Sequence, residues 1–338
     1  MLARKGTEMS SFIEFYWKVP EVGFEWFATK GFPSKQMDAG VEGVYLVDRM
    51  KQGVPNTVRN YPAFKETGLF RRFAATEPTR DGVLAFANAY GFLGGEITIP
   101  VQIPVENEPN NYFLGSGETL EGWGAEILAM RHMVEVWEAA RAGDAKKLAE
   151  FIRWKGKAAK GEDAWPHTEV VYRGPRSRFE KRAVTFPIAS ETANPETLAR
   201  FQPGDVVLPA WYALQRFVNK KLAQHGAVPK MLWHIHPRKS ELEMHFVPQS
   251  LIGAMWLQFA HGITGNKEYR QCEQCGRWFE VAAEVRQDGK FCQGACRSRA
   301  YRARQSEARK LRAAGMAFAE IAKRLNSDTK TVRGWVKG

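Results

Sequence analysis

Between residues 118 and 160, apolar side chains recur at Trp123, Ile127, Met130, Val134 and Trp137, at intervals of four, three, four and three. That spacing traces one face of a 3.6-residue period and predicts a helix through the block, with Thr119 and Glu121 marking its N-terminus. Residues 1 to about 100 follow other periods: "SFIEFYWKV" and "GVYLVDRM" read as strands, and "RDGVLAFANAYGFLGG" reads as a helix. A polar stretch containing glycine and proline, "KGEDAWPHTEVVYRGPRSRFEKR", leads to a third block. There the pattern predicts a helix ("LPAWYALQRFVNKKLAQHG"), a hairpin ("KMLWHIHPRKSELEMHFVP") and a second helix ("SLIGAMWLQFAHGITG"). No internal repeat is seen, and the mixture of periods gives an α+β fold class.

The C-terminal pattern is more specific. Gly315 closes a short amphipathic helix that ends near Leu311, and Phe318, Ile321, Ala322 and Leu325 then share one face of a second helix. Asn326 makes a turn, and Ser327 or Asp328 caps a third helix whose Val332 and Trp335, three apart, pack inward. This is a helix-turn-helix pattern. Its spacing, G-x5-IA-x2-L-x5-TV-x2-W, resembles the DNA-binding tail of resolvases and invertases. By that resemblance the third helix enters the major groove, with Thr329, Lys330, Thr331 and Arg333 as the contacts to bases and phosphates.

Composition excludes a disordered chain, since 44% of residues are hydrophobic and 12% aromatic. The N-terminal "MLARKGTEMSSFIEFYW" lacks an apolar run of signal-peptide length, and the longest apolar stretch is too short and too polar to span a bilayer, so a cytoplasmic, membrane-free protein is expected. In that reducing setting the four cysteines, Cys272, Cys275, Cys292 and Cys296, read as metal ligands rather than as disulfides. Cys272 and Cys275 form a C-x2-C pair followed by Gly276, which permits the tight turn of a zinc knuckle. Sixteen residues with a "QDG" turn signal separate this pair from the second, which suits a short hairpin. The second pair opens a helix whose first turn supplies two ligands, a treble-clef-like arrangement. Four thiolates closing a tetrahedron leave no open position, so one structural Zn2+ is expected.

Charge follows the cysteines. From Arg270 onward there are sixteen Lys and Arg against seven Asp and Glu, so this tail carries +9 of the formal +12. Arg297, Arg299, Arg302 and Arg304 lie within a few turns behind the second cysteine pair, and such clustering beside a small metal module favours a polyanion partner. Only Tyr301 is interleaved with them, whereas single-strand recognition relies on several aromatics, so double-stranded DNA is preferred over RNA.

Taken together, "LAFANAYGFLG", the tryptophan-bearing helix after it, and "LIGAMWLQFAHGITGNKEYRQCEQCGRWF" running into "FCQGACRSRAYRAR" resemble bacterial transcription regulators with an ABATE-like N-terminal region and a CGNR-type zinc finger. Where that family has Cys-Gly-Asn-Arg, this chain has Cys296, Arg297, Ser298 and Arg299, and a helix-turn-helix is appended. The expected organisation is a mixed α/β region over 1–115, a helical and α+β scaffold or sensor over 116–265, a zinc finger with basic helix over 268–305, and a DNA-binding helix-turn-helix over 306–338. The expected activity is sequence-specific DNA binding by a homodimer, with an unknown ligand or protein for the N-terminal region and no catalysis.

The rival reading is a nucleic-acid-processing enzyme. His234 and His236 alternate on one strand of the predicted hairpin, with Glu243 and His245 on the other, which suits a metal site across two strands. No P-loop, G-x-S-x-G or H-E-x-x-H motif occurs, and the glycine-rich "GFLGGEI" lacks the lysine of a phosphate cradle.

Overall fold

A computed structural model of the chain describes residues 15–29, 43–49, 57–95, 97–102, 112–155, 169–173, 185–187, 204–236, 239–281 and 289–337. The chain forms two compact units, Met1–Gly265 and Asn266–Gly338. The architecture is α+β, with small antiparallel sheets and helices.

In the first unit, β1 (Tyr16–Pro20) pairs with β4 (Val58–Pro62), and a four-stranded sheet has the order β2 (Phe24–Thr29), β3 (Gly43–Asp48), β6 (Tyr112–Thr119), β5 (Ile97–Gln102). Helices α1 (Leu69–Ala75) and α2 (Arg80–Tyr90) lie between β4 and β5 in the chain, and β6 leads straight into α3 (Leu120–Ala142). The Thr119 hydroxyl accepts the Gly122 N–H at 3.0 Å, which satisfies one of the free amides that open α3. Trp123, Ile127, Met130, Val134 and Trp137 are all buried, as their spacing predicts. Their rings meet those of other helices: Trp123 lies against Phe73 and Phe86, and Trp137 against Phe70 and Phe259, with centroids 5.6 to 6.5 Å apart. Such pairs add to the stabilisation from buried apolar area.

The predicted helix does not run on to residue 160. It ends at Gly143, whose φ of +66° is the left-handed conformation that glycine adopts without strain. Asp144 then caps a new short helix, α4 (Ala145–Phe151), by accepting the Lys147 N–H at 3.0 Å. The chain continues extended as β7 (Ile152–Lys155), which pairs with β8 (Glu169–Arg173), and β8 with β9 (Thr185–Pro187). Strand β8 comes from "EVVYR", a β-branched core inside the stretch read as a polar connection. The rest of that connection lies outside the described residues, as do residues 1–14.

The third block matches its pattern: α5 (Val207–Gln224), the hairpin β10 (Val228–His236) and β11 (Lys239–Val247), and α6 (Leu251–Thr264). One half-buried ion cluster ties α3 to both helices. Glu126 accepts from Lys221, from His225 at 3.2 Å and from the Trp256 indole at 3.3 Å. Burial opposes ionisation of Glu126, but the hydrogen bond from His225 and the charge of Lys221 outweigh it and hold the carboxyl below its ordinary range. The glycine-rich "GFLGG" turn is likewise satisfied internally, since Leu93, Gly94 and Gly95 all donate backbone N–H groups to the Glu118 carboxylate at 2.9 to 3.0 Å. Its amides serve the fold, not a phosphate. No helix among the described residues is long and apolar enough to cross a membrane.

Candidate metal centre and nucleic-acid interface

The second unit starts with a hairpin, β12 (Glu268–Gln271) against β13 (Trp278–Val281), in register Gln271 to Trp278. The first cysteine pair is the connection of this hairpin. Gly276 has φ +68° and donates its N–H to the Cys272 carbonyl at 2.9 Å, while the Cys272 N–H reaches the Arg277 carbonyl at 2.9 Å, so the knuckle closes on itself. This hairpin differs from the expected one between the two cysteine pairs. Residues 282–288, which include most of the "QDG" signal, lie outside the described residues.

The second pair meets the first through the start of α7 (Gly294–Ala313). Cys292 precedes the helix and Cys296 lies in its first turn, where its N–H donates to the Gln293 carbonyl at 3.1 Å. The Glu273 N–H donates to the Lys290 carbonyl at 3.0 Å and stitches the two segments together. The four sulfurs come within 4.8 Å of one another, with Cys272 and Cys296 buried, Cys292 half-buried and Cys275 exposed. Two sulfur–sulfur distances, 3.7 Å for Cys275–Cys292 and 3.6 Å for Cys292–Cys296, can be compared with a tetrahedral ion. Zn–S bonds of about 2.3 Å imply sulfur–sulfur edges of about 3.8 Å. The four cysteines can therefore hold one metal ion, and the donor set and spacing fit zinc.

Electrostatics point the same way. Arg277, through its backbone N–H and its guanidinium, lowers the Cys275 thiol to about 6. Burial and the neighbouring thiols push Cys292 up to about 12. Cys272 and Cys275 are held below the ordinary thiol value, and Cys292 and Cys296 above it. A dication held by Cys272, Cys275, Cys292 and Cys296 would stabilise all four as thiolates.

Helix α7 is continuous for twenty residues and, at 1.5 Å per residue, about 30 Å long. The boundary expected at 305/306 falls inside it, because no glycine or proline interrupts residues 295–314. Its second half joins α8 (Phe318–Arg324) and α9 (Thr329–Lys337) around a core of Ala308, Ile321, Ala322, Val332 and Trp335. The turns match the sequence reading, with Gly315 at φ +88° and Asn326 at φ +46°. Asp328 is the cap: the Thr331 N–H donates to it at 2.8 Å and the Thr331 hydroxyl at 2.6 Å.

The candidate DNA contacts separate into two groups. Arg297, Arg299 and Arg302 on α7, and Lys330 and Arg333 on α9, are exposed. Lys330, Arg333 and Lys337 share one face of α9, opposite the buried Val332 and Trp335. Two of the arginines also lie over rings of the bundle: exposed Arg333 with its guanidinium 5.7 Å from the Phe318 ring centroid, and half-buried Arg304 5.9 Å from that of Trp335; Thr331 is committed to the Asp328 cap. Thr329 is half-buried. Residues not anticipated from the sequence help hold the bundle: Arg309 donates from Nε to the Trp335 carbonyl at 2.9 Å, and Arg312 lies 4.5 Å from the Phe318 ring centroid. A basic residue at either position reads equally well as a phosphate contact, so charge alone could not have distinguished them.

The Asp328 cap gives a pH prediction. Hydrogen bonds from the Thr331 hydroxyl and N–H hold its carboxyl below the ordinary carboxylate value. A group depressed on folding contributes stability that is complete above its unfolded pKa and is lost as pH falls through the folded one. Asp328→Asn is therefore expected to lower the melting temperature of the helical bundle near neutral pH and to flatten its dependence on pH below about 4. An unchanged acid limb would show that the cap contributes nothing.

The hairpin histidines are set by strand register. His234 lies opposite Glu241, Leu232 opposite Glu243, and Lys230 opposite His245, which puts these positions on one face of the hairpin. The side chains of His234, His236 and Glu243 lie outside the described residues.

No protein-family description, no curated protein and no solved structure matches the chain.

Proposed function

We propose that this chain is a sequence-specific double-stranded DNA-binding protein, a bacterial transcription regulator rather than an enzyme, acting as a cytoplasmic, nucleoid-associated homodimer. The observation that carries the reading is the division of α9, with Val332 and Trp335 buried and Lys330, Arg333 and Lys337 on the opposite, exposed face. A helix held from behind by a small core, with its basic side in water, has the form of a recognition helix in the major groove. The four-cysteine cluster beside the basic start of α7, the part of the resemblance to regulators with a CGNR-type finger that the structure carries, supports the same reading. One structural Zn2+ on Cys272, Cys275, Cys292 and Cys296 would hold the finger. The continuous α7 would then place Arg297, Arg299 and Arg302 on phosphates outside the site read by α9. Residues 1–265 would serve as scaffold or sensor.

Two results test this. Arg333→Ala is expected to weaken binding to the cognate site by about tenfold to 100-fold, the range for one good base contact, with little change on unrelated DNA. Equal losses on both DNAs would make Arg333 a phosphate contact. Replacing Arg297, Arg299 and Arg302 together with alanine is expected to reduce the slope of log affinity against log salt by about 0.9 for each phosphate contact removed. A slope equal to that of the unsubstituted protein would remove the finger from the interface.

A further inference from the structure

The hairpin β10–β11 forms a sheet of its own, with no third strand among the described residues. Two-stranded sheets are marginal in water without a layer against one face. Strand register divides its positions between two faces. One face holds the positions of Lys230, His234, His236, Lys239, Glu241, Glu243 and His245, with Val228, Leu232 and Val247 among them. On the other, Met231 opposes Met244, Trp233 opposes Leu242 and Pro229 opposes Phe246, and no ionisable residue occurs at any position of that face. Met231, Trp233, Leu242, Met244 and Phe246 are 52 to 70% exposed, and they are five of the eight large hydrophobic residues exposed among the described residues. Isolated exposed apolar residues are ordinary; a contiguous set on one face marks an interaction surface.

We propose that this face is the dimer interface of the protein, and that its occupant is the same face of a second copy. Area favours that choice. With side chains on the order of 200 Å² each, these exposures leave roughly 600 Å² of apolar surface in water per copy. Two such faces in contact would bury about 1,200 Å², the lower edge of stable specific interfaces. Chemistry favours it too. A two-fold contact sets a patch against itself, and a face without charge meets its own copy with no like-charge repulsion. The packing is sheet on sheet, about 10 Å apart, with the ionisable faces turned outward. A contact of this size forms reversibly as concentration rises. The inference names the surface of the dimer proposed above. Its test uses no nucleic acid, so its failure is distinct from failure of the DNA reading.

The test is sedimentation of the full chain, with zinc, from about 1 µM to about 100 µM. The unsubstituted protein is expected to shift from its monomer mass of 38.3 kDa to twice that value across the series. The double variant Trp233→Glu/Met244→Glu, which sets like charges across the two-fold, is expected to remain monomeric throughout with unchanged melting. Hydrogen exchange of the unsubstituted protein reads the same face without substitution. Amides of β10 and β11 are expected to lose protection on dilution while those of α3 do not. A monomer at the highest concentration, a dimer that survives the double variant, or hairpin protection independent of concentration would each overturn the proposal.

Discussion

Cys296→Ser is expected to abolish metal binding and unfold residues 266 to about 300, while leaving the helices around Trp335 in place. The prediction is large because the finger has little else to hold it. Within 268–305 the buried hydrophobic side chains among the described residues are Tyr269, Cys272 and Cys296, and two of these three belong to the sulfur cluster. A structural zinc in such a module contributes folding free energy on the order of 10 kcal/mol or more, far beyond what one buried tyrosine supplies. Cys296 is 1% exposed in the first turn of α7, so its loss also removes the tether between that helix and the knuckle. Metal content measured by mass spectrometry should fall from one equivalent to near none, and exchange protection should vanish from β12, β13 and the first half of α7. Unchanged melting and protection in the variant would mean that the cysteines are free thiols in a fold that does not need a metal.

Trp335→Ala should do the converse, releasing α8 and α9 while the metal stays bound. Trp335 is 4% exposed and closes a core of only five buried residues. The Tyr301 ring meets it edge-on at 5.7 Å, the Arg304 guanidinium lies over it, and Arg309 donates to its carbonyl. Truncating a buried tryptophan costs about 3 to 5 kcal/mol, which is comparable to the whole stability of a domain this small. DNA binding should be lost with one equivalent of zinc retained. The two substitutions thus form a double dissociation: one removes the metal and keeps the bundle, the other removes the bundle and keeps the metal. A Trp335→Ala protein whose α8 and α9 amides remain protected would show that the bundle is held by something other than this core.

Much of this was legible in the sequence where one physical signal dominates. The four-three spacing of Trp123 through Trp137 can only be satisfied by burying one helix face, and the structure buries it. The cysteine spacing likewise named all four members of the sulfur cluster. Legibility failed where two signals competed. Gly143 stops a helix that the apolar period alone would continue. With no breaker between Gly294 and Gly315, the helix opened by the second cysteine pair and the short one ending near Leu311 are a single α7. Arg304, Arg333 and Thr331 have the right chemistry for DNA, and each also has a partner within the bundle that charge and spacing do not reveal: Trp335, Phe318 and Asp328. Contacts between distant segments, such as Glu118 with the amides of Leu93 to Gly95, leave no periodic trace at all.

The most direct measurement of the central claim is selection of duplex DNA from a random-sequence pool by the full zinc-loaded chain, beside a variant carrying Lys330→Ala, Arg333→Ala and Lys337→Ala. The account predicts a single enriched motif with inverted symmetry for the unsubstituted protein and none for the variant, with both proteins equally folded. Recovery of random sequence by both, or the same motif from both, would contradict it.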